Sequence, residues 1–307
     1  MRAVVFAYHN MGICGLEALQ RAGFTIAAIF SHKDDPGENC WFDSVVEWAK
    51  KNHIDVFCPD NVNVPEWIRQ VSRLAPDVIF SFYYRSMLSR DILTIPASGA
   101  YNLHGSLLPA YRGRVPVNWV LVNGEKRTGV TLHHMIEKPD AGDIVGQKVI
   151  TIEFNDTART LYDKLCMTAG TLLEEVLPLI KEGKAPRIPQ DLTQGSYFGG
   201  RRPEDGRINW SWPAMRIYNL IRAVTGPYPG AFAFLPGGEK ILIWWALPEE
   251  DGVHDHLPGQ IEVENSYVFV RTGEGRVKLV DIETAGSRMK NDLIFHYFKG
   301  KEGLVLT

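Results

Sequence analysis

Between Ala3 and Leu103 the chain alternates short apolar runs with amphipathic stretches, and that alternation leaves few folds open. Ala3 to Phe6, Ile26 to Phe30, Val56 to Cys58, Val78 to Ser81 and Ala100 to Leu103 have strand length and apolar character, the signature of buried strands. Gly12 to Ala22, Ser44 to Lys51 and Pro65 to Leu74 lie between them and read as helices. The first sets Leu16, Leu19 and Ala22 on one face and stops at Gly23. The last opens on a proline, which suits the first helical position. Strands alternating with helices demand right-handed crossovers and a mostly parallel sheet with helices on both faces.

The pattern then changes. Thr128 to His134 and Val145 to Ile152 read as two more strands. A long helix is predicted from about Thr157 to Glu182, with Leu161, Leu165, Leu172, Val176 and Ile180 on one stripe and Gly183 at its end. The prolines, glycines and polar residues of Lys184 to Gly200 read as a linker. Beyond it, Pro213 to Arg222 is a short helix, and after that helix only strands are expected. These are Ala231 to Leu235, Lys240 to Leu247, Gln260 to Val263, Tyr267 to Arg271 and Val277 to Ile282. About five short strands after one helix suggest a small β-barrel. The expected organisation is a catalytic domain over 1–190, a linker over 191–203 and a C-terminal domain over 204–307.

Composition narrows the function classes. The chain has 307 residues, 45% hydrophobic and 22% charged, enough apolar surface for a packed core and too much for disorder. The longest aliphatic-aromatic run, Ile241 to Leu247, is far short of the ~20 residues that cross a bilayer. Lys and Arg number 33 against 36 Asp and Glu, a formal net charge of −3. That gives no basic excess, which weighs against a nucleic-acid partner. Cys14, Cys40, Cys58 and Cys166 are widely spaced with no Cys-x-x-Cys pair, as expected of reduced thiols. The N-terminus lacks a signal-peptide pattern, so the expected compartment is the cytoplasm.

The stretch Tyr101-Asn102-Leu103-His104-Gly105-Ser106-Leu107-Leu108-Pro109 carries the most chemistry. It begins at the end of a predicted strand, where residues two apart share a face, so Asn102 and His104 should project together. Ligands of open α/β sheets bind beyond the carboxyl ends of the strands. An amide donor beside an imidazole there suits acyl chemistry: Asn can steady a developing oxyanion and His can move protons near neutral pH. On spacing alone the plainer reading is favoured, with Asn102 capping a turn and His104 a satisfied core histidine. Lys138-Pro139-Asp140-Ala141-Gly142-Asp143 forms a turn after the Thr128–His134 strand. Asp140 or Asp143 could reach His104 from it and favour the imidazolium form; on spacing alone an ordinary solvated turn is the more economical reading.

No metal is expected. His133 and His134 are adjacent and face opposite ways on a strand, so they cannot chelate together. His254-x-His256 lies in an acidic stretch that reads as a solvated loop. No His-Glu-x-x-His, Gly-x-Gly-x-x-Gly or Walker pattern is present. Phe198-Gly199-Gly200-Arg201-Arg202 offers two guanidinium groups that could hold a diphosphate, or could be an exposed linker.

Taken in order, Asn102-Leu103-His104-Gly105-Ser106-Leu107-Leu108-Pro109, Tyr111-Arg112-Gly113, Thr128-Gly129-Val130-Thr131 and Asp140-Ala141-Gly142-Asp143-Ile144 resemble the folate-dependent formyltransferase family over nearly the whole chain. The resemblance implies a Rossmann-like, mostly parallel α/β domain followed by a small OB-like β-barrel. It implies that Asn102 stabilises a tetrahedral intermediate, that His104 is the acid/base and that Asp140 tunes and orients it. It implies 10-formyltetrahydrofolate as formyl donor, lying along Ser86, Met87, Leu88, Arg114, Ile136, Glu137, Lys138 and Pro139, with no metal. Within the family the texture is most similar to the enzymes that formylate UDP-4-amino-4-deoxy-L-arabinose in lipid A modification and polymyxin resistance. Pro59-Asp60-Asn61-Val62-Asn63, Ile79-Phe80-Ser81-Phe82-Tyr83-Tyr84-Arg85 and Asn118-Trp119-Val120-Leu121-Val122-Asn123-Gly124-Glu125 carry that likeness. Small-molecule partners are expected, a folate and a nucleotide-linked amino sugar, with Arg201 and Arg202 as candidate phosphate contacts. A homo-oligomer is compatible with the sequence. The chain is expected to be either a standalone sugar formyltransferase or one half of a bifunctional enzyme. The rival acceptors are methionyl-tRNA, disfavoured by charge, and water, as in a formyl-folate hydrolase. A non-catalytic binder would need none of Asn102, His104 and Asp140.

Overall fold

The computed structural model describes residues 1–34, 39–250 and 257–307. The His254-x-His256 pair lies outside them. The chain forms two compact units and passes between them several times. Unit 1 holds Met1–Pro116, Arg127–Thr151 and Tyr162–Gly199; unit 2 holds Val117–Lys126, Ile152–Leu161 and Gly200–Thr307.

Unit 1 begins β1 (Arg2–Ala7), α1 (His9–Arg21), β2 (Thr25–Phe30), α2 (Val45–Lys51), β3 (Val56–Phe57), α3 (Pro65–Arg73), β4 (Val78–Phe82), α4 (Arg90–Leu93), β5 (Ala100–His104) and β6 (Arg112–Gly113). After α5 (Pro116–Val122) come β7 (Arg127–His134), β8 (Ile144–Thr151), α6 (Ala158–Lys181) and β9 (Tyr197–Phe198). Seven strands make one sheet in the order β3-β2-β1-β4-β5-β7-β8. The first five are parallel, while β7 runs antiparallel to β5 and β8 antiparallel to β7. The parallel strands are buried on both faces, Val4, Phe6, Phe30 and Ile79 being fully enclosed, which is why their sequences are apolar without alternation. The last two strands are joined by a turn with no crossover helix, and a direct turn permits only antiparallel pairing.

Helix starts follow local chemistry. Ser44 caps α2 by accepting the Glu47 N–H at 3.3 Å, and Pro65 opens α3. α1 starts at His9, ahead of the Gly12 boundary expected from the sequence, because the Gly12 N–H already bonds the Tyr8 carbonyl at 3.1 Å. α4 and α5 carry too few turns to show a periodic stripe and are not legible in the sequence.

Unit 2 contains α7 (Ala214–Val224), β10 (Ala231–Phe234), β11 (Lys240–Glu249), β12 (Ile261–Glu264), β13 (Tyr267–Arg271), β14 (Arg276–Thr284), β15 (Ser287–Lys290) and α8 (Asp292–Phe298). β10-β11-β14-β13-β12 form an antiparallel sheet, with β15 on β14. Among the described residues no strand ladder joins β10 to β12. The C-terminal segment bonds both: the Thr307 N–H reaches Phe234 O at 2.9 Å, and the Ile261 N–H reaches Leu304 O at 2.8 Å. The expectation of strands alone after α7 is corrected by α8. That helix buries Ile294 and Phe298, one apolar pair four residues apart, and a single pair does not distinguish a helix from a loop. Two segments expected in the first domain belong to unit 2. Asn118 Nδ2 donates to Ala223 O at 2.7 Å, and Arg222 Nη1 donates to the carbonyls of Glu153 and Asp156 at 3.2 and 3.3 Å. Among the described residues no helix is long and apolar enough to cross a membrane.

Helix α1 lies close on β4 at Gly15. A Cβ there would meet the Phe82 ring at 2.3 Å. Gly15→Ala gains up to ~1 kcal/mol in helix propensity, and overpacking typically costs about 1–3 kcal/mol. Phe82 is a fully buried ring and cannot swing aside, so overpacking wins. Chemical denaturation should show the Gly15→Ala protein to be the less stable one.

Candidate active site

The chemistry gathers at the carboxyl end of β5. Antiparallel pairing sets Asn102 opposite His133 and His104 opposite Thr131, so period-2 alternation puts Asn102, His104 and His133 on one side of the ladder. The β7–β8 turn delivers Asp140 to the same place. Asp140 Oδ1 lies 3.4 Å from Asn102 Nδ2, 3.6 Å from His104 Nδ1 and 3.5 Å from His133 Nε2. Its Oδ2 accepts the Gly113 N–H at 2.8 Å. Two residues singled out in the sequence, Asn102 and His104, therefore converge on the carboxylate of the third, Asp140. Asp143, the alternative candidate, instead pairs with Arg187 at 3.4 Å.

Asp140 sits at φ +50°, a left-handed conformation that Asp tolerates better than most residues. Two neighbours hold it there. A Cβ on Gly142 would come within 1.9 Å of His134 O, so only glycine lets the turn close on β7. Gln190 Nε2 donates to the Asp140 and Gly142 carbonyls at 3.1 and 2.6 Å. Burial alone pushes the Asp140 carboxyl up. The His104 ring, the His133 ring and the Gly113 N–H outweigh it and hold the group well below the usual carboxylate range.

Hydrogen-bond partners fix the ring protons. His104 is 7% exposed, and its Nε2 faces the Tyr111 carbonyl at 2.8 Å. A carbonyl only accepts, so Nε2 carries a hydrogen and Nδ1 is the atom turned toward Asp140. His133 Nδ1 faces His134 O at 2.8 Å and likewise carries a hydrogen. Its Nε2 lies 3.1 Å from Asn102 Nδ2 and accepts from that amide when the ring is neutral. His134 points the other way, against the Tyr101 ring at 4.6 Å. Burial first, then Arg187, lowers it to about 4, so it stays neutral outside the site.

The 105–114 loop is fastened on several sides. Ser106 Oγ donates to Ala110 O at 2.7 Å, and Thr131 Oγ1 donates to Ser106 O at 2.7 Å. Tyr111, at φ +58°, stacks on Phe198 at 5.1 Å. β6 pairs with β9 in parallel. The loop thereby offers the Tyr111 carbonyl to His104 and the Gly113 N–H to Asp140. His133, the Tyr111 carbonyl and the Gly113 N–H were not singled out by sequence. Register across β5 and β7 is non-local, and backbone groups have no letter in the sequence.

The proposed folate residues fall into two exposed segments and one strand end. Ser86 and Met87 are exposed, but Leu88 is packed in the core with Ile79 and Ile92, which leaves only its backbone for a ligand. Asn63 clasps this loop, Nδ2 donating to Met87 O at 2.9 Å and Oδ1 accepting the Ser89 N–H at 2.8 Å. Ile136, Glu137 and Lys138 are exposed and Pro139 half-buried. Glu137 pairs with Arg90 at 3.9 Å, which joins the two segments. Arg114 is exposed and donates its N–H to Phe198 O at 2.9 Å. In unit 2, Arg201 lies over the Trp119 ring at 4.7 Å and donates to Asp205 O at 2.8 Å, while Arg202 is exposed. Among the described residues no group of three or more His, Cys, Asp or Glu is placed to hold a metal.

An amide donor and an imidazole gathered on one ionised carboxylate, at the carboxyl edge of an open α/β sheet, make a proton-handling centre of the acyl-transfer kind. Residues 1–177 match the family described as formyl transferase, and residues 201–295 match the formyl transferase C-terminal domain. The chain belongs to the formyl transferase family and is an enzyme of the formyl-transfer class. It is similar in structure to the N-formyltransferase of Helicobacter canadensis, solved with folinic acid and dTDP-3-aminofucose. That match has TM-score 0.70 and 22% identity over 91% of this chain and 98% of the other. It is also similar to the sugar 3N-formyl transferase WlaRD, solved in the presence of dTDP and 5-N-formyl-THF. There the TM-score is 0.70 and the identity 19% over 94% and 98% of the two chains. Glycinamide ribonucleotide transformylase 1 of Symbiobacterium toebii matches at TM-score 0.54 and 21% identity, over 62% of this chain and 93% of its own. At these identities the likeness is one of fold.

Because the folded Asp140 carboxyl ionises at lower pH than an unfolded one, its contribution to stability is complete above the ordinary carboxylate range. It is lost as pH falls through that range and below it. Asn keeps the shape and suits a left-handed φ. The Asp140→Asn variant should be less stable than wild type at pH 7, with the gap narrowing below about pH 4. Urea denaturation at several pH values checks this.

Proposed function

We propose that this enzyme transfers a formyl group from 10-formyltetrahydrofolate to the primary amine of a nucleotide-linked amino sugar. The observation that carries the reading is the convergence of Asn102 and His104 on the ionised Asp140. Two structures of the same fold were solved with formyl-folates, one beside dTDP-3-aminofucose and one beside dTDP, which supports the choice of donor and acceptor class. The sequence texture supports UDP-4-amino-4-deoxy-L-arabinose as the acceptor, and with it a place in lipid A modification, polymyxin resistance and the cytoplasm. In the same reading unit 2 is an OB-like barrel.

The donor is consumed in each turnover and is a substrate. The neutral amine attacks the formyl carbon, a new C–N bond forms, and the carbonyl electrons move onto oxygen. In this reading Asn102 Nδ2 and a His104 N–H turn to receive that oxyanion. Collapse of the intermediate breaks the bond from the formyl carbon to the folate nitrogen, and the proton lost by the amine goes to that nitrogen. His104 carries this proton. Its Nε2–H is held by the Tyr111 carbonyl in this structure, so substrate oxygen competes with that carbonyl for it. Asp140 steadies the ring whenever Nδ1 is also protonated, and it keeps the ring's orientation. Ser86, Met87, the Leu88 backbone, Arg114 and Ile136 to Pro139 are proposed to hold the folate. Arg201 and Arg202 are proposed as acceptor contacts, Arg201 being the less available because it already lies on Trp119.

The test is to mix the protein with 10-formyltetrahydrofolate and UDP-4-amino-4-deoxy-L-arabinose, following tetrahydrofolate release and the mass of the sugar. One formyl group gained per folate released is the expected result. Activity on charged initiator tRNA alone would move the enzyme to translation. Asn102→Ala should lower turnover by about 10²–10³, and His104→Ala and Asp140→Ala should fold and lose transfer. Near-normal turnover by His104→Ala overturns the assignment. Unchanged acceptor affinity in Arg201→Ala removes that residue from the site.

A further inference from the structure

Among the described residues three arginines are buried: Arg112, Arg222 and Arg271. Two have their charge answered. Arg222 Nε donates to Asn219 Oδ1 at 2.9 Å and Nη1 to two carbonyls, and Arg271 Nε donates to Glu262 Oε1 at 2.6 Å. Arg112 differs. Only 9% of the residue is exposed, its Nε is enclosed, and that atom has no hydrogen-bond partner. No ion pair or ring contact to its guanidinium is found among the described residues. Only its backbone is engaged, the N–H donating to Ser196 O at 3.0 Å.

A guanidinium stays charged at any pH at which the protein is folded. An enclosed, unanswered cation is therefore a standing cost that the chain cannot relieve by losing a proton. Its place in the fold gives that cost a purpose. Arg112 is flanked by Tyr111, whose carbonyl meets His104, and by Gly113, whose N–H meets Asp140. The charge is thus built into the strand that touches both catalytic side chains.

We infer that Arg112 is the receptor for the diphosphate of the acceptor, taking a phosphate oxygen pair on its forked N–H groups. Guanidinium matches phosphate and carboxylate bidentately, and position decides between them. In a nucleotide-linked amino sugar only the sugar ring separates the reacting amine from the first phosphate. In the folate the carboxylates lie beyond the whole aminobenzoyl group from the formyl-bearing nitrogen. A cation one residue from the contacts to both His104 and Asp140 matches the nearer anion. The inference rests on the reading of the acceptor as nucleotide-linked.

The full chain is compared with Arg112→Met and Arg112→Lys by calorimetric titration and thermal melting, with UDP, dTDP, inorganic pyrophosphate and folinic acid as probes. UDP or dTDP should bind wild type and raise its Tm. Arg112→Met should bind that nucleotide at least about tenfold more weakly, the size expected for hydrogen bonds to a charged group. Arg112→Lys, which keeps charge without the fork, should fall between. Folinic acid affinity should be the same in all three, and ligand-free Arg112→Met should melt no lower than wild type. Equal nucleotide affinity in wild type and both variants overturns the inference. So does loss of folinic acid binding with nucleotide binding intact, or failure of wild type to bind any of the diphosphates. None of these readouts needs formyl transfer, so failure of the transfer assay is a separate result.

Discussion

The arrangement of side chains along β5 depends on one carboxylate staying ionised in a confined place. Asp140 is mostly enclosed, and burial by itself favours the neutral acid. Charge survives there because the Gly113 N–H and Asn102 Nδ2 donate to its two oxygens and the His104 and His133 rings beside Oδ1 favour the ionised form. Those partners come from three stretches of chain. The carboxylate therefore acts as a tie among β5, β7, the 105–114 loop and the β7–β8 turn. It can do so only if its own backbone adopts a left-handed conformation and Gly142 closes on His134 O. A change at Gly142 would thus reach the imidazole without touching it.

The change from parallel to antiparallel pairing at β5 has a consequence for the chemistry. A parallel neighbour would have returned through a crossover helix and presented its own carboxyl end beside Asn102. An antiparallel neighbour instead brings its side chains past β5 in reverse order, so His133 arrives opposite Asn102, and the turn after β7 folds back to set Asp140 beside His104. The sheet edge that departs from the doubly wound pattern is the edge that builds the site. That is a common place for function to override regular architecture.

Much of this was legible in the sequence because it is local. The buried parallel strands announce themselves as unbroken apolar runs, α6 as a long stripe, and Asn102 and His104 as a period-2 pair at a strand end. What stayed hidden has two physical origins. α8 and α4 are too short for periodicity to accumulate. His133 is invisible because its role depends on strand register and on the ring orientation that His134 O fixes, both of them tertiary facts. His133 and His134 are adjacent on β7 and face opposite sides of the sheet. The same alternation is what lets one enter the site while the other lies against Tyr101.

The arginines show most plainly where letters stop and structure begins. By type and spacing, Arg201 and Arg202 in a glycine-rich stretch are the obvious phosphate ligands, and Arg112 is one letter of a motif. Burial sets the three apart. Arg201 rests on Trp119 and gives a hydrogen bond to Asp205 O, and Arg202 is exposed, where water screens its charge. Among the described arginines only Arg112 combines enclosure with an unanswered charge. An anion that reaches it meets a cation already largely desolvated on folding, so less of the attraction is lost to stripping water from the receptor. Exposed Arg202 must shed its own water at the moment of binding. For the same oxyanion the enclosed cation is the stronger partner, and this difference is set by the fold around β6.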